Sequence, residues 1–85
     1  MLTALEKLVD EYKASGELKG ALAQQLNNSL KQAVHHQEKG SLKNAMQAME
    51  KFLNQLEKPA KKDDLSARAK LNLSRHAQLI IEMWK

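Results

Sequence analysis

The chain has 85 residues, with 14 basic and 10 acidic side chains, a formal charge of +4 and no cysteine. This length supports one domain, near the lower limit at which a single apolar core suffices. The lack of cysteine excludes a disulfide framework and thiolate chemistry, and no stretch is apolar enough to predict a membrane-spanning helix. The N-terminus has no charged lead followed by an apolar run, so we expect no signal peptide within it.

The first predicted helix spans about residues 4–15. Thr3 and Glu6 have the spacing of a capping box, in which a hydroxyl and a carboxylate satisfy free amides at a helix start. Apolar residues then recur on one face until Ser15-Gly16, which predicts the end of the helix. The residues of this face are Leu5, Leu8, Val9 and Tyr12.

The second predicted helix spans about residues 18–39. Leucines recur every four residues along one face, beginning at Leu18. Lys39 followed by Gly40 predicts the end, because a basic side chain suits the last carbonyls and glycine commonly follows the last helical turn.

The third predicted helix spans about residues 42–58. Ser41 is a candidate cap at its start, and Pro59 ends it because the residue before proline avoids helical dihedrals. Its apolar residues fall within about a third of the circumference. They are Leu42, Ala45, Met46, Met49, Phe52, Leu53 and Leu56.

The fourth predicted helix spans about residues 65–84, with Asp63 and Asp64 placed where a helix N-terminus favours negative charge. Its main apolar stripe is Leu65, Ala69, Leu73, Ala77, Ile80, Ile81 and Trp84. Since every connection is short, neighbouring helices should be antiparallel. The predicted fold class is all-α, an antiparallel up-and-down four-helix bundle formed by a single module over residues 1–85.

The order and spacing of these breaks and apolar positions resemble a known family, the FIMAH domain. The residues that carry the resemblance are Ser15-Gly16-Glu17-Leu18, Ser29-Leu30, Ala33, Lys39-Gly40, Ala45, Met49, Phe52-Leu53, Ala77 and Ile80. The resemblance implies an accessory module of large secreted or surface proteins of Gram-positive bacteria, attached to hydrolases such as proteases or glycosidases. It also implies that the module is excised from a longer chain, and it offers no catalytic residue to transfer.

Side chains that could carry chemistry are present, but their spacing does not indicate a reaction centre. His35 and His36 are adjacent, so on a helix they point about 100° apart and do not grip one metal together. The carboxylate pairs Asp10-Glu11 and Asp63-Asp64 lie on a polar face and in a connection, without an apolar pocket to raise a pKa. We therefore predict no enzyme activity, no metal site and no cofactor.

Basic residues gather around the third connection and the fourth helix. They are Lys58, Lys61, Lys62, Arg68 and Lys70, with Arg75 in the same cluster. A solvated basic edge is the preferred interpretation, and the alternative is a loose contact with a polyanion such as an anionic wall polymer. Nucleic-acid binding is disfavoured, since Tyr12, Phe52 and Trp84 all fall on apolar stripes and leave no stacking platform.

A second row of large side chains follows the fourth helix, away from its main stripe. It consists of Leu71, Leu79 and Met83, with Arg75 among them. A helix that is apolar on two sides is either wedged between several neighbours or offers a patch to a partner. We prefer the wedged interpretation. If Leu71 and Leu79 are exposed instead, this row is the candidate for docking a neighbouring domain or an identical chain.

The sequence is interpreted as a non-catalytic accessory module that is secreted or associated with the cell surface. Its role would be protein–protein association, association with a surface polymer, or spacing of a catalytic domain. The expected partner is a neighbouring domain of the same polypeptide or another protein. The alternative is a free-standing intracellular helical regulator or a nucleic-acid-binding protein.

Overall fold

The computed structural model describes residues 2–58 and 62–85, except for the side chain of Lys62. The described chain is mostly helical. Helix α1 spans Leu2–Ser15, α2 spans Gly20–Glu38, α3 spans Leu42–Glu57 and α4 spans Ala67–Trp84. A single 3₁₀ turn, Lys62–Asp64, precedes α4.

The four helices pack as a ring. Helix α2 lies between α1 and α3, and α4 closes the ring by packing against both α3 and α1. The α1–α2 and α3–α4 connections meet at one end of the bundle, where Leu18 and Leu65 form an antiparallel β-bridge. Because these two connections share an end, successive helices run in opposite directions. The predicted antiparallel up-and-down four-helix bundle is confirmed.

The core is built from the apolar stripes, and every helix contributes to it. Its largest fully buried side chains are Phe52, Leu5, Leu18, Leu26, Met49, Leu56, Leu73, Ile80 and Val9. Each contributes about 1.5–3 kcal/mol of gross stabilisation through burial. Leu42 is an exception to the predicted α3 stripe, because it begins the helix and remains 41% exposed.

The predicted starts of α1 and α2 are wrong by a few residues. Helix α1 already begins at Leu2, which is buried, so Thr3 lies inside the first turn and does not cap it. Helix α2 begins at Gly20 rather than at Leu18. Leu18 fits the apolar spacing because it is buried in the core, yet it reaches the core from an extended segment.

The predicted end of α2 is confirmed. The backbone N–H of Gly40 donates to the carbonyl of Gln37 at 3.0 Å, and that of Ser41 donates to the carbonyl of His36 at 2.8 Å. These two bonds form a Schellman motif, which needs a left-handed residue. Gly40 supplies it with φ +79°.

The two serines that precede α3 and α4 differ in what they do. Ser41 occupies the N-cap position of α3, but its side chain makes no capping hydrogen bond. Ser66 caps α4, since its Oγ accepts a hydrogen bond from the backbone N–H of Ala69 at 3.0 Å. Helix α4 therefore begins at Ala67, two residues later than predicted. Asp64 lies beside Gly20 at the start of α2 rather than at the start of α4.

Candidate docking face and the loop cluster beside it

One side of α4 exposes large apolar side chains. Leu71 is 56% exposed, Leu79 is 64% exposed and Met83 is 67% exposed, and the side chain of Arg75 is exposed among them. The preferred prediction that this row is wedged inside the bundle is wrong. Helix α4 packs only against α1 and α3 among the described helices, so its outward side has no neighbour. We call Leu71, Arg75, Leu79 and Met83 the α4 face.

Charged side chains border the middle of the α4 face. Arg75, Gln78, Leu79 and Glu82 line a shallow hollow that is open to solvent. Oε1 of Glu82 also lies 3.3 Å from Nζ of Lys85, and both side chains are largely exposed. A pair of this kind contributes little to stability and rearranges easily. The hollow therefore offers apolar contact together with one cation and one carboxylate.

Near the N-terminal end of α4, several side chains donate hydrogen bonds to the carboxylate of Glu17. Nε of Arg68 donates to Oε1 at 3.2 Å, and Nη2 of Arg68 donates to Oε2 at 3.0 Å. Oγ of Ser66 donates to Oε1 at 3.0 Å, and Oγ of Ser15 lies 2.9 Å from Oε2. We call Ser15, Glu17, Ser66 and Arg68 the Glu17 cluster.

The Glu17 cluster shifts the titration of its two charged members. Hydrogen bonding from Arg68, followed by that from Ser15, holds the pKa of Glu17 below its ordinary value. The hydrogen bonds to Glu17 and its negative charge raise the pKa of Arg68. Both groups are therefore charged near neutral pH, and each holds the other in place.

Tyr12 connects the Glu17 cluster to the packing of α1 on α4. The guanidinium carbon of Arg68 lies 5.6 Å from the centre of the Tyr12 ring, within the range of a cation–π contact. The Tyr12 hydroxyl accepts a hydrogen bond from Nδ2 of Asn72 at 2.7 Å. The Glu17 cluster could not be predicted from the sequence, because Glu17 and Arg68 are 51 residues apart. The sequence signal for it was limited to Glu17 in the segment Ser15-Gly16-Glu17-Leu18.

The predicted polyanion residues are not equivalent in the structure. Lys58 follows α3 and Lys70 lies in the first turns of α4, and both are exposed. The guanidinium of Arg68 forms an ion pair with the carboxylate of Glu17. Lys61 lies outside the described residues, as does the side chain of Lys62. Polyanion binding through this set stays a prediction.

The histidines lie on two helices that do not pack against each other. The rings of His35 and His36 on α2 meet edge to face with centroids 5.5 Å apart, whereas His76 lies on α4. Within residues 2–58 and 62–85, no three metal-binding side chains are grouped so as to hold an ion. Over the same residues, none of the helices combines the length and apolarity needed to cross a bilayer.

Comparison with known proteins identifies the family. None of the curated proteins matches the chain. The family model of the FIMAH domain matches residues 2–82, which is nearly the whole chain. Many of the residues that carry the resemblance have a structural role here: Gly16 and Gly40 have positive φ, and the buried members are Leu18, Ser29, Leu30, Ala33, Ala45, Met49, Phe52, Ala77 and Ile80. The chain therefore belongs to the FIMAH domain family.

Proposed function

We propose that this FIMAH domain is a non-catalytic accessory module of an extracellular or surface-attached bacterial protein. Its α4 face would bind another protein surface, either a neighbouring domain of the same polypeptide or a separate protein. The family is one of small accessory modules of surface proteins, which supports the general role. The observation that carries the proposal is the exposure of Leu71, Leu79 and Met83 on one side of α4.

The physical basis is the burial of apolar surface on association. Single exposed leucines are ordinary, but three large apolar side chains are exposed here on one side of the same helix, with Arg75 between Leu71 and Leu79. Because each is a little over half to two-thirds exposed, covering the rest of it would contribute about 1–2 kcal/mol before the costs of association are subtracted. Arg75 lies in the same row, where its charge would steer an approaching partner and select its orientation.

A capture experiment tests the role of the α4 face. The purified chain and its Leu71→Glu/Leu79→Glu variant are incubated with extracellular and cell-wall fractions of the source bacterium, and bound proteins are identified by mass spectrometry. We expect the unmodified chain to retain at least one protein that the variant releases. Both substituted positions are more than half exposed, so the variant should keep the fold.

Gln24→Glu/Gln25→Glu provides the matched control, because it adds two negative charges, as the α4-face variant does, to exposed positions of α2. Helix α2 lies diagonally opposite α4, and the two make no close backbone contact. The control should capture the same protein as the unmodified chain. Equal capture by the α4-face variant would contradict a docking role for this face. A parallel capture from the cytoplasmic fraction tests the placement, since a partner found only there would contradict an extracellular module.

The alternative proposal is an intracellular regulator or nucleic-acid binder. The formal charge of +4 and the exposed Lys58 and Lys70 are the observations that favour it. A mobility-shift titration with duplex DNA at two salt concentrations distinguishes it, since binding through phosphate contacts weakens steeply as salt rises. A salt-sensitive shift would favour this alternative, and its absence near physiological salt would favour protein docking.

A further inference from the structure

Opposite charges flank Leu79, with Arg75 of the α4 face on one side and the neighbouring Glu82 on the other. Arg75 and Glu82 are seven residues apart, so they lie on nearly the same side of the helix and about 10 Å apart along its axis. Leu79 stands between them and is 64% exposed. At that separation the two charges do not neutralise each other within one chain, and the partner of Glu82 is the exposed Lys85.

We propose that the partner of the α4 face is a second copy of this chain, with the two α4 helices packed antiparallel about a two-fold axis near Leu79. The inference rests on the proposed function, because it names the occupant of the same face. A half-turn about that axis reverses the direction of residues 75–82. It places Arg75 of each copy opposite Glu82 of the other, and it stacks the two Leu79 side chains at the centre.

The remaining residues of the α4 face, Leu71 and Met83, fit the same arrangement. Met83 of one copy falls against the aliphatic stem of Arg75 of the other, which covers apolar surface while the guanidinium reaches the carboxylate. The exposed pair between Glu82 and Lys85 is too weak to prevent this exchange of partners. Leu71 lies at the edge of the contact, so the centre of the interface is Leu79 rather than Leu71.

The size of the α4 face limits the expected strength of the pairing. From Leu71 to Met83 the helix advances about 18 Å, which is short for an interface between two proteins. The total buried area should fall below the roughly 1,200 Å² of a standard stable complex. The net charge of +4 on each copy also opposes association. We therefore infer a weak, reversible dimer with a dissociation constant of about 10 to 1,000 μM.

Sedimentation equilibrium over about 10 μM to 1 mM protein, near physiological salt, tests the pairing. The unmodified chain should rise from its monomer mass of 9.6 kDa toward twice that value. Leu79→Glu should remain monomeric over this range. Arg75→Glu and Glu82→Arg should each raise the dissociation constant about tenfold, since either change breaks both symmetric ion pairs. The combined Arg75→Glu/Glu82→Arg variant should recover most of the loss.

Circular dichroism confirms the fold of each variant, and Gln24→Glu serves as the dimerising control. A monomer mass for the unmodified chain at 1 mM would overturn the inference, and so would a combined variant that fails to recover. The mass measurement tests the dimer and the capture experiment tests the proposed function, so the two can fail separately. A monomeric chain that still loses its captured protein through Leu71→Glu/Leu79→Glu would retain the docking role without self-association. If the chain dimerised but Leu71→Glu/Leu79→Glu did not change which other proteins it captures, the dimer would stand and the docking of another protein through the α4 face would not.

Discussion

The carboxylate of Glu17 and the guanidinium of Arg68 form a two-point ion pair between the α1–α2 connection and the first turn of α4. Backbone bonds reinforce the same junction. The N–H of Lys19 donates to the carbonyl of Asp64 at 2.9 Å, and the N–H of Ser66 donates to the carbonyl of Glu17 at 2.8 Å. Two connections distant in sequence are thus joined by both backbone and side-chain bonds, which fixes where α4 starts against α1.

Replacing Glu17 by Gln should destabilise the protein at neutral pH and have progressively less effect as the pH falls. The folded state lowers the pKa of Glu17, mainly through hydrogen bonding from Arg68. The stabilisation is therefore fully present above the pKa of the unfolded chain and is lost as the pH falls through the folded pKa. The effect should be small, because the Arg68 side chain is 71% exposed and solvent screens the pair.

Urea unfolding of both proteins at about pH 7, 5 and 3 measures this effect. The two proteins share all their other ionisable groups, so the difference between their unfolding free energies isolates the contribution of Glu17. We expect the difference to shrink toward the lowest pH. A difference that stays constant over the range would mean that the charge of Glu17 is irrelevant to stability.

Alanine should be tolerated far better at Gly40 than at Gly20. Both glycines have positive φ, +79° and +71° respectively, so alanine at either position adds backbone strain of about 1 kcal/mol. Only Gly20 also faces a neighbour: a β-carbon there would lie 2.7 Å from Oδ2 of Asp64, whereas the space around Gly40 is open. Gly20→Ala should therefore cost roughly 1–3 kcal/mol more than Gly40→Ala.

Denaturant unfolding of the two single variants beside the unmodified chain gives both values. The comparison is internal, because backbone strain is common to the two sites and the contact with Asp64 is not. Equal losses would show that the carboxylate moves aside at no cost.

Sequence reasoning succeeded where local chemistry decides the structure. The Lys39-Gly40 pair predicted the end of α2 because glycine completes a hydrogen-bonded motif within a few residues. It failed where distant segments decide. Leu18 has helical spacing but is held in an extended segment by its bridge to Leu65, which only the folded chain brings near.

In the candidate site too, local spacing could be predicted from the sequence and contacts between distant segments could not. The apolar row of the α4 face could be recognised from spacing, because the period of a helix fixes which residues share a side. Its exposure depends on how many helices surround α4, and only α1 and α3 pack against it among the described helices. Spacing carries no such information. The binding of Arg68 to Glu17 was likewise unpredictable, since it depends on where two connections meet.

The hydrogen bond between Tyr12 and Asn72 should contribute to the docking of α1 on α4. The Tyr12 side chain is buried, and its hydroxyl accepts from Nδ2 of Asn72 at 2.7 Å. Tyr12→Phe removes the hydroxyl and keeps the ring under Arg68, so we expect a loss of about 0.5–1.5 kcal/mol. A double-mutant cycle with Asn72→Ala measures the coupling energy by denaturant unfolding. Additive losses would show that the bond contributes nothing beyond the two side chains separately.

Leu71 and Leu73 provide a matched test of which α4 residues hold the bundle together. They are the same residue type two positions apart, yet Leu73 is fully buried and Leu71 is 56% exposed. Leu73→Ala removes core contacts and leaves a cavity, so it should lower the unfolding free energy by about 2–5 kcal/mol. Leu71→Ala should change it by no more than about 0.5 kcal/mol.

Thermal and urea unfolding at a protein concentration low enough to keep the chain monomeric measures both variants. If Leu71→Ala destabilised the monomer as much as Leu73→Ala, Leu71 would belong to the core and not to a docking face. If it left the monomer unchanged, its apolar side chain would have no role in holding the helices together. The side chain would then be available for association, because covering it by a partner gains free energy that folding has not already used.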